Sequence, residues 1–198
     1  MRTKAADATI GEYRAILHEL RVGNATVMVA NEESERASAL IQELLRAGKD
    51  WDADIDLLTG GLVPKVYDGL RKDLEAYLQP TRWRKQRQMR ILMETVPTSQ
   101  GENRIFDYLR DRNAPGVELA QLASADHFID PEATPIDAPG NRTPHFMVVG
   151  WRAYRFELDH DTFTAEGCFN DEDRVVVSAL KIRFETLWKR REPFEIRA

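Results

Sequence analysis

The feature that most constrains this chain is a regular alternation, between Asp54 and Leu122, of short apolar runs with longer helical stripes. Asp54 to Thr59 (DIDLLT) alternates polar and apolar residues, as a half-buried strand does, and Gly60-Gly61 punctuates its end. From Pro64 to Leu78, Val66, Tyr67, Leu70, Leu74, Tyr77 and Leu78 fall on one side of a helix. Pro64 suits its first turn, where the missing N–H costs nothing. Gln88 to Glu94 (QMRILME) reads as the next strand. Gly101 to Arg112 carries Ile105, Phe106 and Leu109 at helical spacing, and Val117 to Leu122 is a further strand. The order strand, helix, strand, helix, strand predicts crossover connections. The expected fold class is therefore α/β, with a mixed, largely parallel sheet flanked by helices.

The flanking segments are of two kinds. Ile10 to Leu20 presents Ile10, Tyr13, Ile16, Leu17 and Leu20 as a helical stripe that Gly23-Asn24 stops. Ala25 to Ala30 (ATVMVA) is a buried strand or the start of the next helix, and periodicity cannot separate the two over so short a run. Glu32 to Ala47 is a helix with Ala37, Leu40, Ile41, Leu44 and Leu45 on its apolar face, and Gly48 marks its expected end. Residues 1–48 thus read as a helical segment packed on a core domain of residues 49–198, or as the first unit of its sheet. The whole is expected to form one compact domain. Past Leu122 the pattern changes. Asp130 to Pro144 is a Pro-rich loop, either functional or a plain surface excursion. His145 to Val149 (HFMVV) and Ala153 to Leu158 (AYRFEL) read as a hairpin linked by Gly150-Trp151, with Ala165 to Phe169 as a possible third strand. A last helix spans about Glu172 to Lys189, where Asn170 or Asp171 can cap the start.

Composition narrows the function classes. A formal net charge of -5 over 198 residues disfavours wholesale binding to nucleic acid or to an anionic membrane surface. The single cysteine, Cys168, rules out an intrachain disulfide framework and a cysteine metal cluster. No apolar window reaches membrane-spanning length, and the N-terminus lacks a signal-peptide core, so a cytoplasmic protein is expected. There is no Walker-type loop, dinucleotide fingerprint or nucleophile elbow, and His18, His127, His145 and His160 lack zinc-ligand spacing. Neither a cofactor nor a metal is expected. The one local cluster that could hold a divalent ion, Asp159-His160-Asp161, is equally a solvated turn, because neighbours on an extended chain point in different directions.

Two segments are candidate phosphate or nucleic-acid contacts. Gly60 and Gly61 lie between a strand and a helix, where backbone amides attract anions, and Gly-Gly is also ordinary turn chemistry. Arg82, Arg84, Lys85 and Arg87, interleaved with Trp83, are the most basic run. They could grip a phosphate backbone, or be solvated charges at a helix-to-strand junction.

The C-terminal third carries Thr143-Pro144-His145-Phe146-Met147-Val148-Val149-Gly150, then Tyr154-Arg155-Phe156-Glu157, then Gly167-Cys168-Phe169-Asn170, then a helix ending in Phe184 and Leu187-Trp188. With the upstream strand and helix order, this resembles one half-domain of the phospholipase D-like superfamily over about residues 50–190. That family's motif is H-x-K-x-x-x-x-D followed by a small-residue segment ending in Asn. It supplies a histidine nucleophile, a phosphate-binding lysine and an aspartate that orients the histidine. Here the motif is not preserved. With Gly150 on the aspartate position, His145 takes the lysine's place and Thr143 the histidine's. With His145 on the nucleophile, Met147 replaces the lysine and Arg152 the aspartate. Asn170 keeps the family identity in either register.

The resemblance implies two functions from different classes. One is a non-catalytic phospholipase D-like protein, a pseudoenzyme that acts as a binding or scaffolding module. Its partner would be a protein or nucleic acid of a bacterial-style multi-gene system. The other is a divergent, metal-independent phosphodiesterase or nuclease that uses His145 with Arg155, Glu157 and Asn170. Arg155 and Glu157 alternate onto one strand face, where they can pair with each other or with His145, as routine cross-strand pairs also do. Because the family builds each site from two motifs, the resemblance also implies a homodimer.

Overall fold

The computed structural model describes residues 8–26, 29–31, 33–80, 87–97, 103–111, 116–126, 143–159, 164–172 and 174–192. Seven strands form one sheet: β1 (Val29–Asn31), β2 (Ile55–Thr59), β3 (Met89–Met93), β4 (Val117–Gln121), β5 (Phe146–Val149), β6 (Ala153–Asp159) and β7 (Thr164–Cys168). Their spatial order is β1-β7-β6-β5-β2-β3-β4. Helices are α1 (Ile10–Val22), α2 (Ser34–Asp50), α3 (Pro64–Tyr67), α4 (Arg71–Leu78), α5 (Arg104–Asp111) and α6 (Val175–Lys189).

The α/β class and the mixed sheet are as expected, but the sheet is not largely parallel. Only the β2/β3 and β3/β4 ladders are parallel. The β2/β5, β5/β6, β6/β7 and β1/β7 ladders are antiparallel. For β5/β6 and β6/β7 the reason is local, since short links join consecutive strands there and a short link can join only antiparallel neighbours. The β2/β5 and β1/β7 pairings join strands far apart in sequence. Gly150, at φ +56°, makes the β5–β6 turn, with the Arg152 N–H donating to the Val149 carbonyl at 3.3 Å. The first 48 residues contribute to the sheet, since Val29 to Asn31 pair with Gly167 to Ala165 of β7.

Alternation along the strands sends side chains to two cores. On one face Ile55, Leu57, Ile91, Met147 and Val149 meet α2, α4 and α5 through Leu40, Leu44, Tyr77, Phe106 and Leu109. On the other face Leu58, Leu92, Phe146, Val148 and Tyr154 meet α6 through Val177, Leu180, Phe184, Leu187 and Trp188. Each such buried side chain contributes about 1.5–3 kcal/mol relative to exposure.

Two helix boundaries differ from the pattern read in the sequence. Gly48 does not end α2, which runs on to Asp50. A Cβ at Gly48 would stand 3.0 Å from both Ile55 Cδ1 and Tyr77 Cε2, so the glycine permits close approach of β2 and α4. The helix expected over 64–78 is broken into α3, a 3₁₀ turn over Asp68–Leu70, and α4. At α6, Asp171 supplies the cap from outside the first turn: its carboxylate accepts the Val177 N–H at 2.8 Å.

Candidate functional site

The site is built where β2 and β3 end and β5 begins. Because β2 and β3 are parallel, Thr59 and Glu94 leave the sheet side by side, and the Glu94 N–H donates to the Thr59 carbonyl at 3.0 Å. Because β5 is antiparallel to β2, with Phe146 opposite Leu58, His145 falls beside Thr59. Antiparallel β6 then sets Glu157 opposite His145, and the Glu157 N–H donates to the His145 carbonyl at 2.8 Å. Two residues earlier, Arg155 faces Met147 on the same side of the sheet. The carboxyl ends of parallel strands are where open α/β sheets bind ligands.

The β2–α3 loop is pinned under this cluster. The Thr95 N–H donates to the Gly60 carbonyl at 2.9 Å. The buried Asn103 amide donates to the Leu62 carbonyl at 2.6 Å, holding Leu62 at φ 53°. Gly60 lies directly against the imidazole, since a Cβ there would stand 2.9 Å from His145 Cε1. At Gly61 a Cβ would meet the Thr95 carbonyl oxygen at 3.1 Å. The visible work of both glycines is close packing around His145 and Thr95.

His145 is held between two carboxylates. Its Nδ1 is 3.0 Å from Glu157 Oε2, and its Nε2 is 3.4 Å from Glu94 Oε1. Burial alone pulls the imidazole pKa down. The hydrogen bonds and charges of Glu157 and Glu94 outweigh that effect and hold it above the ordinary value of 6.5. Glu157 also accepts from Arg155 Nη2 at 3.3 Å. The Tyr67 hydroxyl donates to Thr59 Oγ1 at 3.3 Å. Burial keeps the Tyr67 phenol pKa above its ordinary value, despite the opposing effects of the Thr59 bond and the Arg155 charge. A cavity of about 140 Å³ opens among these residues.

The structure therefore brings His145, Arg155 and Glu157 together. It places Asn170 elsewhere. Asn170 adjoins Asp171, whose N–H donates to the Arg152 carbonyl at 2.7 Å, whereas His145 lies opposite Glu157. Five residues of extended chain separate Arg152 from Glu157, roughly 16 Å. Arg87 is 3% exposed and bound to the protein itself: Nη1 donates to the Tyr77 and Gln79 carbonyls at 2.6 and 3.0 Å, and Nη2 to the Lys49 carbonyl at 3.3 Å. Arg82, Arg84, Lys85 and Trp83 lie outside the described residues, as do His160, Asp161 and the Pro-rich loop up to Asn141 and Arg142.

Glu94 is the site residue that sequence reasoning missed. The available signal was a carboxylate at the end of a strand parallel to the one ending in Thr59-Gly60-Gly61. Among the described residues, no three His, Cys, Asp or Glu side chains form a metal-holding group. His145, Glu94 and Glu157 do not converge on one point, because each carboxylate faces a different ring nitrogen. No described helix is long and apolar enough to cross a membrane. No family model matches the chain, and no curated protein matches it in sequence.

Proposed function

We propose that the chain is a non-catalytic phospholipase D-like protein that acts as a binding or scaffolding module. The observation that carries this reading is Glu94 on the Nε2 side of His145. A histidine nucleophile needs one acidic partner to fix its tautomer and one bare nitrogen turned toward phosphorus. Here the second nitrogen faces a carboxylate, which favours the protonated ring that cannot attack. The formal charges of protonated His145 and Arg155 against Glu94 and Glu157 also cancel. That leaves no surplus positive charge for the further negative charge that develops on phosphoryl oxygens.

One feature favours the alternative, a divergent metal-independent phosphodiesterase: Glu157 holds Nδ1 as an orienting acid does. The partner proposed first is a second copy of the chain, by analogy with sites built from two half-domains, and then another protein. Nucleic acid is less favoured on an acidic chain. The test is hydrolysis of a generic phosphodiester in EDTA by wild type and by His145→Ala, with both shown to be folded. Absence of turnover in both supports the binding reading. Turnover that survives chelation and vanishes in the variant overturns it.

A further inference from the structure

The cavity beside His145 has walls of two characters. Ile41 of α2, with Val63 and Val66 at the start of α3, gives it an apolar side. Thr59, Tyr67, His145, Arg155 and Glu157 give it a polar side, on which the charges of Arg155 and protonated His145 outnumber that of Glu157. At about 140 Å³ it is close in size to cavities that hold one benzene-sized molecule, roughly six non-hydrogen atoms. The Arg155 side chain is 7% exposed, so its charge has been taken out of water. A guanidinium carries five N–H donors. Among the described residues Arg155 spends one, Nη2 on Glu157, in a long bond of 3.3 Å, and its buried Nε has no hydrogen-bond partner. Glu157 does not clamp the guanidinium with both oxygens, because Oε2 is turned to His145. A buried, under-satisfied guanidinium is costly, and a planar carboxylate is the group that best matches its donors.

We infer that this cavity is a binding site for a small monocarboxylate with a short apolar tail, recognised by Arg155 and seated against Ile41, Val63 and Val66. The inference rests on the reading of this pocket as a binding site and names its ligand class. Three features select the class. The volume limits the ligand to about six heavy atoms. The apolar wall rewards a hydrocarbon tail of a few carbons. A phosphate dianion would bring a second negative charge beside Glu157 and leave the apolar wall unused. The Thr59 hydroxyl accepts from Tyr67, so its own proton is available to a second acceptor oxygen.

Butyrate is the probe, titrated into the full chain in a carboxylate-free buffer at fixed ionic strength. Binding is followed by amide chemical shifts and calorimetry, with butyramide and inorganic phosphate as comparisons. The expected result is saturable binding of butyrate, with shifts at Thr59, Gly60 and Tyr67. Butyramide should bind at least about tenfold more weakly, because it lacks the charge that a desolvated guanidinium rewards. Arg155→Met should abolish binding. Should that variant fail to fold, Val63→Trp decides, since Val63 lies at the rim, 38% exposed, and an indole there fills the cavity while leaving the buried core intact. No saturable butyrate binding overturns the inference. So does equal affinity for butyramide, competition by phosphate at equal concentration, or undiminished binding in Val63→Trp. The hydrolysis assay is independent: a chain that neither cleaves phosphodiesters nor binds butyrate keeps the binding-module reading and loses only this ligand.

Discussion

Asp56 is the residue whose removal should reveal how α6 is fastened to the sheet. It lies on the α6 face of β2, 3% exposed, opposite Arg90 in the parallel β2/β3 register. Its Oδ1 accepts from Arg90 Nε at 2.8 Å, and its Oδ2 accepts from Lys181 Nζ, on α6, at 3.0 Å. Arg90 in turn lies over the Phe184 and Trp188 rings at 4.9 and 5.4 Å. Asp56→Ala removes two charge-assisted bonds and leaves two cations facing each other. Each such bond contributes about 1.5–3 kcal/mol. The lower figure applies, because the Arg90 and Lys181 side chains keep 23% and 14% exposure and water can re-solvate them in part. The expected cost is therefore about 3 kcal/mol. In a chain of this length that is a fall in Tm of about 6–12 °C. Glu185→Ala is the control. Glu185 also bonds Arg90, at 2.6 Å, but is 49% exposed, so its loss should cost under about 1 kcal/mol. Urea unfolding at matched pH measures both. If Asp56→Ala costs no more than Glu185→Ala, burial does not decide the worth of these ion pairs and the reasoning fails.

Other predictions concern the site and its surroundings. His145 has a folded pKa above its unfolded value, so the native state binds more protons between the two. The stability this contributes is complete below pH 6.5 and is lost as pH rises through the folded value. Urea midpoints across that range should fall with pH in wild type, and His145→Gln should flatten the slope. Gly60→Ala puts a methyl 2.9 Å from the imidazole. It should cost about 1–3 kcal/mol by overpacking, and should move the His145 titration seen by NMR. An unmoved titration would show that the ring is not wedged against the loop. Arg87→Ala leaves the buried Tyr77 carbonyl of α4 and the part-buried Lys49 carbonyl of α2 without this donor, so calorimetry should show a loss of about 2 kcal/mol. Phe184→Ala, at a fully buried ring stacked on Trp188 at 5.5 Å, should cost about 3–5 kcal/mol.

The elements were legible where periodicity was long or punctuation strong. α2, β2, β3, β4 and the β5–β6 hairpin fall within a few residues of the positions that apolar spacing gives them. Strand direction was harder to read. Strand–helix alternation over 54–122 correctly implied parallel β2, β3 and β4, but the antiparallel seat of β5 beside β2 is a long-range choice that no local run encodes. The break at Asp68–Leu70 escaped detection because a 3₁₀ turn keeps nearly the same apolar face as the α-helix around it. At the site, Arg155 and Glu157 were visible as strand alternation. Glu94 was not, because it follows β3 while His145 precedes β5, and β2 lies between those two strands. Asn170 looked like a site residue by its position in a motif, yet the end of β7 that leads to it pairs Cys168 with Tyr154, at the start of β6, away from Glu157. The basic run over 82–87 looked uniform in sequence, but Arg87 is tertiary, a buried cation held by three carbonyls.

The central claim is that His145 is a proton-holding hinge between two carboxylates and does not present a bare nitrogen. Nitrogen-15 NMR of its imidazole, titrated through neutral pH, tests this most directly. The account predicts protons on both Nδ1 and Nε2, with a midpoint above that of an ordinary histidine, and a lower midpoint in Glu94→Gln. A neutral ring with an unprotonated Nε2 at and below that ordinary value, unchanged in Glu94→Gln, would contradict it and return His145 to the ranks of potential nucleophiles.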